Sequence, residues 1–441
     1  MTTYWAEHAW LPTGLATDVR FEVVEGRFVA VHRKARPAPG DERLHGVVLP
    51  GLANAHSHAF HRALRGRTHV DGGNFWTWRD QMYAVTRHLT PDTYFALARA
   101  VFAEMALAGI TAVGEFHYLH HAPGGKRYDD PNAMGHALVS AAQEVGIRLT
   151  LLDTCYLAGG LTGDGHLPLD DVQVRFSDGD VDAWAARVAA LEPGLTTRIG
   201  AAVHSVRAIP RDQLEPMAQV TRGRIVHAHV SEQPAENLAT QMFYGATPTA
   251  LLAEAGLVNE RFSAVHATHL TDEDVRLLGD GRATACFCPT TERDLADGIG
   301  PARTLADHGV RLSLGSDQHA VIDPFEELRG LEMHERLTSN ERGRFTGDEL
   351  LRAAGVDGYR SLGWNDIGDI AEGQVADFVL VRTDTVNTVG SKAAQILYSA
   401  TRSDVDLVVV GGRAVVRDGA HELGDVAGLL SKALADVREH R

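Results

Sequence analysis

Five stretches of this chain end an apolar run on a side chain that can bind a cation or move a proton. They are Leu52-Ala-Asn-Ala-His56-Ser-His58, Ile199-Gly-Ala-Ala-Val-His204, Ile225-Val-His-Ala-His229-Val-Ser-Glu232, Ala264-Val-His266 and Leu312-Ser-Leu-Gly-Ser-Asp317. Imidazole and carboxylate are ligands for a borderline cation, and the same groups carry protons in hydrolysis. A single His-x-His pair would mean little, since 23 histidines in 441 residues give about one by chance. Here there are two, His56/His58 and His227/His229, each at the end of an apolar run.

Alternate residues of a strand point the same way, so His56 and His58 can share one ion. His229 and Asp317, from later runs, complete a nitrogen and oxygen set of the kind zinc accepts with water in an open position; such a site also accepts iron. A zinc ion lowers the pKa of that water towards ~7, which supplies hydroxide at neutral pH. Glu232, three residues past His229, is the candidate to carry the proton from water to the leaving group. His266 is the candidate to polarise the group under attack or hold the tetrahedral centre, with Asp317 assisting at the metal.

Side chains this far apart in sequence meet only if the fold brings strand ends together. The candidate strands are 50–56, 111–116, 148–155, 198–204, 224–230, 262–267, 283–288 and 311–316. Helical patterns separate them, including 91–108, 132–144, 181–191 and 247–255. Eight strands alternating with helices give a (β/α)8 barrel, the TIM barrel, whose chemistry lies at the C-terminal ends of its strands. An open doubly wound sheet would instead carry a Gly-rich first turn, which is missing.

Both chain ends read as short strands, with Phe21-Glu-Val-Val, Phe28-Val-Ala-Val, Asp377-Phe-Val-Leu-Val and Val405-Asp-Leu-Val-Val-Val as the clear runs. A Gly411-Gly412 turn between β-branched runs signals a hairpin. The expected layout is therefore a small β-sandwich domain from residues 1–47 and 368–424, a barrel over 48–367 and a final helix over 425–441. Two loops on the active face are long. The first, from His58 to about Thr90, holds Phe75-Trp-Thr-Trp-Arg79. The second, from Leu157 to Asp180, is rich in Gly and Asp, which suits a disordered excursion better. Cys286 and Cys288 share one face of a strand and are expected in the core.

The net charge of −16 argues against a nucleic-acid-binding surface, while local arginines still permit an anionic substrate. No stretch approaches the ~18 uninterrupted apolar residues of a membrane helix. The start, Met1-Thr-Thr-Tyr-Trp-Ala-Glu-His, lacks a basic segment followed by an apolar one, and three cysteines make no disulfide framework. A cytoplasmic protein is expected.

The set His-x-His, His-x-x-Glu, His and Asp resembles the amidohydrolase superfamily, in its mononuclear deaminase branch. Ala55-His-Ser-His-Ala-Phe-His-Arg62, Phe75-Trp-Thr-Trp-Arg79, Glu115-Phe-His-Tyr118-Leu-His-His, His204-Ser-Val-Arg207, Val265-His-Ala-Thr-His269 and Cys288-Pro-Thr-Thr-Glu292 are similar, more closely, to its formimidoylglutamate deiminases. The resemblance implies hydrolysis of a linear amidine, N-formimidoyl-L-glutamate, to N-formyl-L-glutamate and ammonia in histidine degradation. It also implies a homodimer. A heterocycle deaminase of the same superfamily is the alternative.

It further implies that Arg79, Tyr118, His204 and Arg207 hold the glutamate moiety, and guanidinium forks suit a substrate with two carboxylates. Relatives with two metals bridge them by a lysine on the fourth strand; that strand ends here in His204, and Lys34, Lys126, Lys392 and Lys432 lie elsewhere, so one metal is expected. His61 stands where the pattern has glutamine and can still donate to substrate. Arg293 and Gln318 also depart from the pattern and could alter substrate preference.

Overall fold

The computed structural model describes residues 1–69 and 75–439. Residues 70–74 of the first long loop and the last two of the expected final helix lie outside the described residues. The chain opens with β1 (Thr2–Leu11), β2 (Gly14–Val24), β3 (Arg27–His32) and β4 (Glu42–Pro50). Then come β5 (Leu52–Ser57), β6 (Ile110–His117) and β7 (Arg148–Cys155). A short hairpin, β8 (Gly160–Thr162) and β9 (Gly165–Leu167), interrupts the alternation before β10 (Thr197–Val203) and β11 (Val226–Val230). β12 (Phe262–His266), β13 (Thr284–Phe287) and β14 (Arg311–Leu314) complete it. β15 (Phe378–Val381), β16 (Val405–Val410), β17 (Arg413–Arg417) and β18 (Ala420–His421) end the strand set.

Apart from the hairpin, β5 to β14 form one eight-stranded parallel sheet in sequence order. Its edges meet at the C-terminal rim. Ser57 bridges Asp317, the Ser316 and Asp317 amides donate to His56 O at 3.1 and 3.0 Å, and the His58 amide donates to Asp317 O at 3.1 Å. The sheet is therefore the (β/α)8 barrel. Short β-branched and alanine-rich runs suit it because every position of β5, β6 and β7 is buried, which leaves no face for polar alternation.

The opposite end of the barrel is plugged. Tyr359, Leu362 and Trp364 pack on Ala53 and Ala112, and Trp364 Nε1 donates to Thr150 Oγ1 at 3.1 Å. A buried pair, Arg148 with Asp377 at 2.8 Å, joins this floor to the strands beyond it. Substrate access is thus left to the rim where β5 meets β14.

The terminal strands form one sheet, ordered β18-β17-β16-β15-β4-β1-β2-β3. Phe28 on β3 and Phe378 on β15 stand four strands apart in that order, roughly 19 Å in a flat sheet, yet their ring centroids are 6.2 Å apart. The sheet curls, and its two halves are the two layers around a private core of Tyr4, Phe21, Phe28 and Phe378. The final helix, Val426–Glu439, packs on the barrel helix Pro91–Leu107. Among the described residues no helix is long and apolar enough to cross a membrane.

The 157–180 stretch is not the loose excursion its composition suggests. Its glycines and aspartates build structure: Gly165 takes φ 132° in the β8–β9 hairpin, and Asp170 Oδ1 accepts the amides of Val172 and Gln173, both at 2.8 Å. Buried Arg175 donates to the carbonyls of His121 and Leu89 at 2.8 and 2.7 Å, and also to Thr86 O. The amides of Leu157 and Ala158 donate to Ala208 O, each at 2.9 Å. The first long loop likewise contains a helix, Phe75–Thr86, where the sequence suggested only irregular chain.

Candidate active site

The rim gathers the strand-end residues into one cavity of about 270 Å³. His58, His61, Arg79, Tyr118, His204, Arg207, His229, Glu232, His266 and Asp317 all line it; His56 is wholly buried among the cluster. The backbone makes this convergence by turning sharply where strands stop. His266 and Asp317 have φ of 66° and 42°, and Ser231, Ala267 and His319 are also left-handed. Non-glycine residues held this way store strain, commonly where side chains must be aimed at a site.

The donor set fits one cation. His58 Nδ1 lies 2.9 Å from Phe116 O and His229 Nδ1 2.9 Å from His204 O. A carbonyl only accepts, so both Nδ1 atoms carry the proton and both Nε2 atoms present a lone pair. Burial keeps these imidazoles neutral: it pulls His56 down to about 3 and His229 well below the usual range, and it lowers His58. His56 Nε2 sits 3.2 Å from His229 Nε2 and 3.3 Å from Asp317 Oδ1, which is 3.4 Å from His58 Nε2. Ligand atoms about 2.0–2.1 Å from a shared tetrahedral centre are about 3.3–3.4 Å apart, so these three spacings suit a zinc-sized ion, and ligand atoms of His56, His58 and His229 all lie within 4.8 Å of one another. Burial pushes the Asp317 carboxyl up, but His56, His266 and His58 outweigh it and hold the group ionised, well below the carboxylate range.

The second His-x-His pair divides. His229 joins the cluster, whereas His227, one barrel layer lower, has Nε2 2.8 Å from Ser361 O and serves the floor. Cys286 and Cys288 are buried with Ala55 and Val265, and burial pushes the Cys288 thiol well up, so it stays neutral core.

Beside the cation cluster stand the groups that could move protons. His266 Nε2 is 3.9 Å from both Glu232 Oε1 and Asp317 Oδ2, and its Nδ1 is 3.6 Å from Glu292 Oε1. Burial works against its charge, but Glu292, Glu232 and Asp317 overcome that and push it up to about 10. Glu292 is held in turn by the Cys288 amide at 2.7 Å.

The cavity wall carries the groups expected to hold an anion. Arg79 and Arg207 contribute guanidinium; Tyr118 and His61 share a hydrogen bond of 2.9 Å; burial keeps His61, His204 and Tyr118 uncharged. Arg207 is not idle: Nη2 donates to Glu232 Oε2 at 2.8 Å. Arg293 and Gln318 do not line the cavity. Arg293 binds Glu326 and Pro289 O on the outer side, and Gln318 Nε2 donates to Asp294 Oδ2 at 2.7 Å, so their departure from the family pattern leaves this wall untouched.

Sequence reading missed the lining residues Tyr83, Tyr156 and Gly159, and Gln173, which joins them. Gln173 Nε2 lies 2.9 Å from Tyr83 Oη and 3.0 Å from both Tyr156 Oη and Gly159 O, which knits three elements into one wall. Tyr156 directly follows β7 just as His204 follows β10, so the strand-end rule could have found it. Gln173 carries no such signal, because its place depends on how the 157–180 loop folds.

Residues 47–415 match the amidohydrolase family model. The chain belongs to the amidohydrolase family. Residues 1–45 of this amidohydrolase match the model described as formimidoylglutamate deiminase HutF, N-terminal domain. It is 36% identical to the formimidoylglutamate deiminase of Pseudomonas aeruginosa, covering 96% of both chains, and belongs to that branch. It is 29% identical to the 8-oxoguanine deaminase of the same organism over 88% of this chain and 86% of that one. Among solved structures, an amidohydrolase from Brucella melitensis superposes with a TM-score of 0.91 at 31% identity, covering 99% of this chain and 100% of the other. A zinc-bound adenosine deaminase from Xanthomonas campestris gives 0.84 at 25%, covering 100% and 98%.

Proposed function

We propose that this amidohydrolase hydrolyses the formimidoyl group of N-formimidoyl-L-glutamate, R–NH–CH=NH + H2O giving R–NH–CHO + NH3. The observation that carries this reading is the joining, in one cavity, of a cation-competent cluster to two arginines and several neutral donors. A purine ring asks for stacking and amide-like partners along its edge; a linear amidine with two carboxylates asks for guanidinium forks. The relative at 36% identity and the matched N-terminal domain support the same choice over a heterocycle.

His56, His58, His229 and Asp317 are the proposed ligands of one zinc ion, with iron also acceptable to the same donors. When bound, the ion acts as a Lewis acid that makes water nucleophilic near neutral pH. Glu232 accepts a proton from the attacking water and returns it to the departing nitrogen. His266, kept protonated by Glu292, directs a charged Nε2–H at the group under attack. Arg79 and Arg207, with Tyr118, His204 and His61, hold the carboxylates, so the substrate is a small anionic amino-acid derivative.

Ammonia release from N-formimidoyl-L-glutamate, N-formimidoyl-L-aspartate and guanine tests this directly. The glutamate compound should exceed the other two in kcat/KM by at least about 10²-fold. Preference for guanine would overturn the reading.

A further inference from the structure

The two edges of the Arg207 guanidinium face different partners. Nε donates to Ser205 Oγ at 3.3 Å and lies 3.8 Å from Glu236 Oε1. Nη2, on the terminal edge, donates to Glu232 Oε2 at 2.8 Å. Glu236 is buried, and its Oε2 accepts the Glu232 amide at 3.0 Å, so one carboxylate braces both members of the pair. The Arg207 carbonyl is fixed as well, 3.2 Å from His166 Nδ1 in the hairpin β8–β9. Backbone and Nε are thus held, while Nη2 carries the bond to Glu232 in a residue that lines the cavity.

Glu232 is the proposed proton carrier. The bond engages one of its two carboxylate oxygens, Oε2, and holds the group against Arg207. A carboxylate arriving in the cavity competes for the same terminal edge, and a bidentate fork suits it better than a single bond to Glu232. We propose that Arg207 gates the proton carrier: paired with Glu232 it restrains that carboxylate, and the side-chain carboxylate of the substrate, by taking the terminal edge, releases it. Glu236 and Ser205 are positioning residues that keep Arg207 in reach of both partners. Specificity for an anionic substrate then appears in kcat as well as in KM, because binding of a remote group is turned into activation at the reacting centre. This rests on the reading of N-formimidoyl-L-glutamate as substrate and Glu232 as proton carrier.

The test compares kcat and KM of the metal-loaded enzyme for N-formimidoyl-L-glutamate and N-formimidoyl-L-norvaline, whose side chain ends in methyl. Each is measured with and without about 50 mM acetate at fixed ionic strength. Wild-type kcat should fall at least about 30-fold for the norvaline compound, and acetate should restore it at least about 5-fold while leaving the glutamate compound within about twofold. Arg207→Met should abolish the acetate effect and narrow the kcat gap between the two substrates to about threefold or less. A norvaline compound that differs only in KM, or wild-type turnover indifferent to acetate, overturns the gate. The wild-type measurements decide even if the Met variant does not fold. Failure to turn over N-formimidoyl-L-glutamate would sink the functional reading itself, a different outcome from turnover without gating.

Discussion

Glu232 answers to two charged neighbours, with Oε1 3.9 Å from His266 Nε2 and Oε2 2.8 Å from Arg207 Nη2. Glu232→Gln keeps its size and its acceptor for Arg207 but cannot take a proton. The variant should lose about 10²–10⁴ in kcat with KM within about threefold, measured by ammonia release; wild-type kcat would rule out the proton-carrying role. At this scale the sequence was informative wherever chemistry required a polar group after an apolar run, as at His56, His229 and Asp317. It was misleading for Arg293, which carries an unusual type at a motif position but points outward to Glu326.

Individual elements position the reacting groups within tight tolerances. Gly315 joins β14 to Asp317, and a Cβ there would meet His56 Cβ at 2.7 Å and His56 O at 2.8 Å. Gly315→Ala should therefore displace a proposed metal ligand. About 1–3 kcal/mol of stability should go, and metal retained after dialysis should fall well below that of wild type. Full retention would contradict the placement of His56.

Another joint ties the start of the first long loop to the barrel helix Pro91–Leu107 and to the chain near β16. Glu104 on that helix meets Arg62, Arg65 and Arg402 at 2.8, 2.6 and 2.8 Å. Burial alone would push its carboxyl up, but Arg65 and Arg62 hold it down to about 2. A carboxylate with a depressed folded pKa gives stability that is complete above ~4.5 and disappears as pH falls through about 2. Glu104→Gln should cost about 2–3 kcal/mol at pH 7 and roughly half that or less at pH 3 in urea titrations. A cost that does not change with pH would show that packing, not charge, makes this joint. None of this was legible beforehand, since Arg62 and Glu104 are ordinary charges until the fold pairs them. The helix Phe75–Thr86 also escaped notice, although Trp78, Met82 and Val85 sit at helical spacing in the core while Trp78, Met82 and Tyr83 line the cavity.

For the whole molecule, one end of the barrel is plugged by Trp364 and its neighbours, and the other is ringed by histidines, carboxylates and arginines. Strand count and order were readable because each barrel strand is a short run bounded by polar ends. The curl of the small sheet was not, because it follows from side-chain packing between β3 and β15, far apart in the chain. The most direct measurement is a metal titration of chelated protein, following ammonia release from N-formimidoyl-L-glutamate beside 8-oxoguanine. Turnover of the formimidoyl compound should rise linearly and level off at one ion per chain, with the purine almost untouched. Activity that survives complete chelation, a plateau at two ions, or faster release from the purine would contradict a single-cation centre for an anionic amidine.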